Sequence, residues 1–286
     1  MEWLEKLNNA IGYIEDNLDG TVSFDEAARH ACCSVYHFQR MFSYIAGVPL
    51  SEYIRRRRMT AAAFELQTGD TKIIDLALKY GYESPTAFTR AFQSVHGISP
   101  SAARSEGRIL KAFPRVSVTL SIKGAEEMTY RIESKASFRI VGVREHMAFH
   151  IEENFARVPL FWQKTTQQGL IPQIAALMNC PPFGLLGVST CNNGKDLDYY
   201  IAAATDKPLP EGFADFTLPS GTWAVFECTG PLPGAMQELQ KRIVTEWLPA
   251  SGYDYADAPD IEVYTDGDQA SLNYKSQVWL PVVRKK

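Results

Sequence analysis

The chain has 286 residues, 45% of them hydrophobic and 22% charged, with a formal net charge of −4. That length can supply two ordinary domains, each with its own core, and that composition is typical of a globular protein. No run of about 18 apolar residues occurs, and no basic stretch leads into an apolar one at the start, so neither a membrane span nor a secretory signal is expected.

Five cysteines, an odd number, are scattered too widely for a disulfide framework, and a reducing cytoplasm is the expected location. The charge is unevenly spread. Residues 1–33 carry two cationic side chains against seven carboxylates, a net −5. Residues 34–111 carry eleven against six, a net +5, and residues 112–286 sixteen against twenty, a net −4. Phosphate binding follows the local field, so a basic middle segment is compatible with DNA despite the acidic total.

From the start to about residue 108, short helical periods alternate with the turn signals "DNLDGT", "AGVPLS", "TGDT" and "HGISPS". A repeat lies within this part. "FQRMFSYIAG" (Phe38 to Gly47) recurs as "FTRAFQSVHG" (Phe88 to Gly97), matching Phe38 with Phe88, Arg40 with Arg90, Phe42 with Phe92 and Gly47 with Gly97. Phenylalanines four apart share one buried helix face, and the arginine between them points away from it. Each glycine can close its helix in a left-handed turn, and Ser34 and Ser84 stand where a serine would cap the start. Upstream of each copy is an alanine-bearing helix, "SFDEAARHA" or "KIIDLALKY". Helix, tight turn and capped second helix with an exposed arginine is a helix-turn-helix, here present twice.

Between the copies runs "YIRRRRM" (Tyr53 to Met59). Successive helical residues lie 100° apart, so four arginines fan around the helix and at most two can meet one DNA surface. With Met59, Ala62 and Leu66 as the buried stripe, Arg55 and Arg58 run along the core edge toward carboxylates, and Arg57 points opposite. Arg57 is therefore expected to meet phosphate. A connecting helix of about 16 residues spans roughly 24 Å, which suits two readers about 34 Å apart in successive major grooves.

Around "AFPRVS" (Ala112 to Ser117) the texture changes to strand-rich runs: "TYRIESKASFRIVGVRE", "FGLLGVST", "LDYYIAAAT", "TWAVFECT", "DIEVYT" and "SQVWLPVV". Helical windows near 151–169 and 234–248 interrupt them, giving strand, helix and two strands, twice over. The expected architecture is multidomain: an all-α double helix-turn-helix domain over 1–108, a linker over 109–126, and an α+β domain of duplicated βαββ units over 127–286. In "DIEVYT" the alternation places Ile261 and Val263 on one face, Glu262 and Tyr264 on the other. If the Ile/Val face packs against helices, Glu262 and Tyr264 face a possible ligand cleft. His146 and His150 form an HxxxH on an expected strand-to-helix turn, and His30, Cys32, Cys33 and His37 straddle a turn. No metal site and no cofactor is expected from either group.

"SVYHFQRMFSYIAGVPLSEYIRRRRMTAAAFEL" followed by "IIDLALKYGYESPTAFTRAFQSVHGISPSAAR" resembles the DNA-binding domain of AraC/XylS-type transcription regulators, over roughly residues 5–105. The resemblance implies that the third and sixth helices enter adjacent major grooves of double-stranded DNA. By position Ser34, Tyr36, Gln39 and Arg40 would serve the first groove, and Pro85, Thr86, Thr89 and Arg90 the second, with Pro85 unable to donate a hydrogen bond. The family's "PSxYR" ending reads "PSAAR" here, with Ala103 in place of the aromatic.

Residues from about 127 to 283 resemble the GyrI-like effector-binding domain, through "GTWAVFECTGP", "LQKRIVTEWLPASGY", "DIEVY" and "VWLP". Such domains take small aromatic or cationic molecules in a cleft between the repeats. Glu262, Tyr264, Gln277, Trp279, Trp223, Phe226, Trp162 and Tyr199 are the residues this reading assigns to the effector. Gln277 stands where the last strand often has a glutamate. The whole then resembles a one-component bacterial regulator, with DNA, a small-molecule effector and RNA polymerase as partners and no enzymatic activity. Two other readings stay open: a hydrolase of reactive small molecules with Glu262 as general base, or a DNA-binding protein with no ligand.

Overall fold

A computed structural model describes residues 2–118, 127–148, 151–192 and 196–285. The chain divides into two compact units, Met1–Leu120 and Ser121–Lys286. His150 lies outside the described residues.

The first unit is helical: α1 (Glu2–Asp16), α2 (Phe24–His30), α3 (Val35–Ala46), α4 (Leu50–Thr68), α5 (Ile73–Lys79), α6 (Pro85–His96) and α7 (Pro100–Ala103). The starts of α3 and α6 are set by Ser34 and Ser84, whose hydroxyls accept from the backbone N–H of His37 and Ala87 at 3.3 and 3.2 Å. Gly47 (φ 68°) and Gly97 (φ 78°) end the same helices in the left-handed region. Phe38, Phe42, Phe88 and Phe92 are wholly buried, so each copy is built around the same pair of rings. Met59, Ala62 and Leu66 of α4 are buried as well, and they pack with Leu76, Phe88 and Phe92 in the second copy's core.

The stretch expected to be a linker differs in its first half. Leu110 and Phe113 pack against the second copy's core, and Phe113 N–H donates to Thr60 Oγ1 at 3.1 Å. Val116 N–H donates to Tyr53 Oη, and Val118 exchanges two hydrogen bonds with the Asn8 amide. Residues 110–118 therefore belong to the first unit. Two apolar anchors and paired backbone groups hold this half of the expected linker against the helices.

The second unit is an antiparallel sheet with helices on one face. Its strands are β1 (Tyr130–Lys135), β2 (Phe138–Ala148), β3 (Leu185–Asn192), β4 (Asp196–Ala204), β5 (Ala214–Leu218), β6 (Gly221–Thr229), β7 (Tyr253–Tyr255), β8 (Asp260–Tyr264) and β9 (Lys275–Arg284). Its helices are α8 (Ile151–Gln167), α9 (Leu170–Leu177) and α10 (Gly234–Arg242), the last running through a π-turn over Ile243–Trp247 into α11 (Leu248–Ala250). The order across the sheet is β1-β6-β9-β8-β3-β4-β2-β5, with β7 on β9. Strand–helix–strand–strand occurs twice, as β2-α8/α9-β3-β4 and β6-α10-β8-β9. The repeats meet where β3 pairs with β8, Gly187 opposite Glu262.

The outer strands are exchanged between repeats: β1 pairs with β6, and β5 with β2. This exchange curls the sheet, so that Leu218 of β5 and Trp223 of β6 share one core with Ile140, Val188, Ile261 and Val263. The other face carries α10, with Met236, Leu239 and Ile243 packed on Ala224, Phe226, Val278 and Leu280. The conditional expectation for β8 is thus reversed. Ile261 and Val263 fill the curl of the sheet, and Glu262 and Tyr264 lie on the face that bears the helices.

Candidate functional site

On α3 the hydroxyl of Ser34 also lies 2.9 Å from His37 Nδ1, fixing the start of the helix. Arg40 is half-buried, its guanidinium 6.0 Å from the Tyr36 ring and 5.8 Å from the Tyr44 ring. Tyr36 and Gln39, expected to face a groove, retain only 8% and 6% of their surface. Tyr36 sets its ring edge-on to His37, at 5.7 Å between centroids. Of the first copy's expected readers, Ser34 and Arg40 are half-buried and Tyr36 and Gln39 are buried. On α6, Pro85, Thr86 and Arg90 are exposed and Thr89 is half-buried, with Pro85 in the first turn where its missing N–H is harmless. The two copies match in core and caps but not in the surface they offer.

The arginine run is almost wholly engaged within its own unit. Glu52 accepts from both Arg55 and Arg56, and Arg55 Nη1 also donates to Ser94 Oγ on α6 at 2.8 Å. Arg56 lies 5.0 Å over the Phe113 ring. Arg58 donates to the carbonyls of Leu18 and Gly20, at 3.0 and 2.5 Å. Arg57, expected to meet phosphate, is paired instead. It forks onto Glu15 with Nη2 to Oε2 at 2.6 Å and Nε to Oε1 at 2.9 Å, and Nη1 donates to Phe113 O. Its side chain is 18% exposed, so it braces α4 against α1 and does not reach for phosphate. Burial pushes the Glu15 carboxyl up, but the hydrogen bonds from Arg57 and Tyr53 prevail and hold it below the usual range.

In the second unit, Glu262 sits at the centre of the repeat junction. Its Oε1 accepts from Gln240 Nε2 of α10 at 2.6 Å, and its Oε2 accepts from the Tyr264 hydroxyl at 2.7 Å. Trp162 of α8 meets the Tyr264 ring edge-on at 5.0 Å and donates Nε1–H to the Tyr199 hydroxyl at 3.1 Å. A side chain at Gly187 would meet Tyr199 Oη at 2.3 Å and Glu262 Oε2 at 3.2 Å, so this glycine lets both groups lie over the strand. Burial, and next the Glu262 carboxylate, push the Tyr264 hydroxyl well above its ordinary value. It is a neutral donor at any ordinary pH.

Four expected effector residues are elsewhere. Trp223 and Trp279 belong to the core inside the curl, with Trp223 Nε1 near Pro259 O and Trp279 Nε1 donating to Gln277 Oε1. Gln277 pairs with Val263, not with Glu262, so strand alternation turns it to the opposite face. Phe226 is on the helix-bearing face but fully buried beneath Trp247, at 4.9 Å between rings. Glu262, Tyr264, Tyr199 and Trp162 do come together. Gln240 and Gly187 complete the group and were not expected. A glycine inside the strand run "FGLLGVST" was the available signal for Gly187.

Paired helix-turn-helix units followed by a duplicated βαββ domain are the architecture of a two-domain DNA-binding regulator. The family model described as "Integron-associated effector binding protein" (Cass2) matches residues 131–282, and "Helix-turn-helix domain" matches residues 27–106. The chain belongs to the AraC-type transcription regulators that carry a C-terminal GyrI-like effector-binding domain of the Cass2 family. The HTH-type transcriptional activator AarP of Providencia stuartii is 45% identical over 98 residues, 34% of this chain and 73% of AarP. The transposon Tn10 TetD protein of Escherichia coli is 39% identical over 98 residues, 34% of this chain and 71% of TetD. A solved structure of SAV2435 bound to tetraphenylphosphonium is 28% identical with a TM-score of 0.49, covering 55% of this chain and 94% of its own. No helix among the described residues is long and apolar enough to cross a membrane.

Proposed function

We propose that the regulator reads operator DNA through Arg40 on α3 and Thr86, Thr89 and Arg90 on α6, and senses a small aromatic cation at Glu262. The observation that carries the effector half is the carboxylate of Glu262, set at the junction of the repeats among Gln240, Tyr264, Tyr199 and Trp162. The hydrogen bonds from Gln240 and Tyr264 come from neutral donors, so they orient the carboxylate without cancelling its charge. In a site walled by aromatic rings, a carboxylate attracts a cation far more strongly than in water. The rings supply the apolar area, and the acid selects for charge.

Trp162 rests against Tyr264 and Tyr199, so a ligand would enter by displacing that ring. Binding without turnover fits the description of AarP as a transcriptional activator, and RNA polymerase is the partner through which such a regulator would act. Calorimetric titration with benzyltrimethylammonium, against its uncharged isostere neopentylbenzene, tests the reading. The cation is expected to bind at least tenfold more tightly than the isostere, and Glu262→Gln to abolish that preference. Equal affinity for cation and isostere in the wild-type protein, or release of a hydrolysis product from benzyl acetate, would overturn it.

A further inference from the structure

A second group of aromatic side chains in the C-terminal unit lies apart from Glu262. Trp247 ends the π-turn that follows α10. Its ring meets Tyr130 of the edge strand β1 edge-on at 5.1 Å and lies nearly parallel to Tyr253 of β7, at 6.0 Å and 14°. These rings, with Met128 and Ala250, line a cavity of about 390 Å³ rimmed by Arg242 and Glu246. Ligand cavities commonly fall between about 300 and 1,000 Å³.

The π-turn matters here. It inserts one residue into the helical count, which turns every later side chain by about 100° around the axis. Trp247 packs on Phe226 of the α10 core and reaches Tyr130 on the edge strand of the sheet. Single π-turns inside helices are frequent at functional sites.

The rim charges define the ligand class. Arg242 Nε is bound to Glu246 Oε2 at 3.0 Å, four residues on along the same helix. The two charges are opposite and adjacent, so the rim carries no net charge and selects neither cation nor anion. The floor offers ring faces and edges for stacking. We infer that the cavity bounded by Trp247, Tyr130 and Tyr253 is a second ligand site, taking an uncharged planar aromatic molecule.

The probe is N-phenyl-1-naphthylamine, neutral at pH 7 and fluorescent in apolar surroundings, titrated into the full-length protein. Saturable binding is expected. Tyr130→Ala and Ala250→Trp, the first removing an exposed wall and the second filling the cavity, are each expected to weaken it at least tenfold. Trp162→Ala and Glu262→Gln should leave it within twofold. Circular dichroism of the two cavity variants establishes that they remain folded, and Ala250→Trp tests the site without removing any packed ring. Failure of the probe to saturate, unchanged binding in Ala250→Trp, or loss in Trp162→Ala in place of the cavity variants would overturn the assignment.

Discussion

Arg57 shows how far a single residue can stand from its appearance in a sequence. Four consecutive arginines suggest a cationic surface, yet Arg57 and Glu15 are 18% and 8% exposed and joined at 2.6 Å. Removing one partner of a buried ion pair leaves the other uncompensated, which costs about 3–5 kcal/mol. Arg57→Ala is therefore expected to lower the stability of the first unit by about 3 kcal/mol, read by chemical denaturation. The salt dependence of DNA binding should stay unchanged, since no phosphate contact is lost. A salt slope reduced by about one would restore the phosphate role. The same pair confers acid sensitivity. Glu15 is held below the ordinary carboxyl value of 4.5, so its contribution is present above that pH and is lost as pH falls through its lowered folded value. The stability of Arg57→Ala should accordingly vary less than that of the wild type below about pH 4.5.

At the scale of elements, the helices were far more legible than the strands. Ser caps, left-handed glycines and phenylalanines four apart are local signals, and they located α3 and α6 closely. Arg40 and Arg90 occupy matched positions but differ in surroundings, half-buried between tyrosines in one case and exposed in the other. If both meet bases, alanine at either is expected to cost about 1–3 kcal/mol of operator binding in a gel-shift titration. Unchanged affinity in both variants would remove the two-reader arrangement.

Strand alternation gave the two faces of β8 but could not say which face meets helices. That choice follows from the exchange of β1 and β5 between repeats, which pairs residues far apart in the chain (Ser134 with Thr222, and Phe138 with Leu218) and leaves no local trace. The same ignorance placed Trp223, Trp279 and Gln277 in the effector cleft, though their register puts them on the opposite face. Gln277→Glu is consequently expected to change affinity for benzyltrimethylammonium by less than twofold. A gain of tenfold would return Gln277 to the site.

At the scale of the whole molecule, the net +5 of residues 34–111 is offset by the net −5 of residues 1–33, so the helical unit is close to neutral, and residues 112–286 are net −4. The central claim is that occupancy of Glu262 is transmitted to DNA binding. A ligand can shift a DNA-binding equilibrium only by its differential affinity for the free and DNA-bound forms, and that coupling is reciprocal. The direct measurement is operator affinity with and without saturating benzyltrimethylammonium, in the wild type and in Glu262→Gln. Typical couplings of about 1–3 kcal/mol predict a change of roughly 5- to 150-fold in the wild type, in either direction, and none in the variant. An operator affinity indifferent to the cation, or shifted equally in both proteins, would contradict the account.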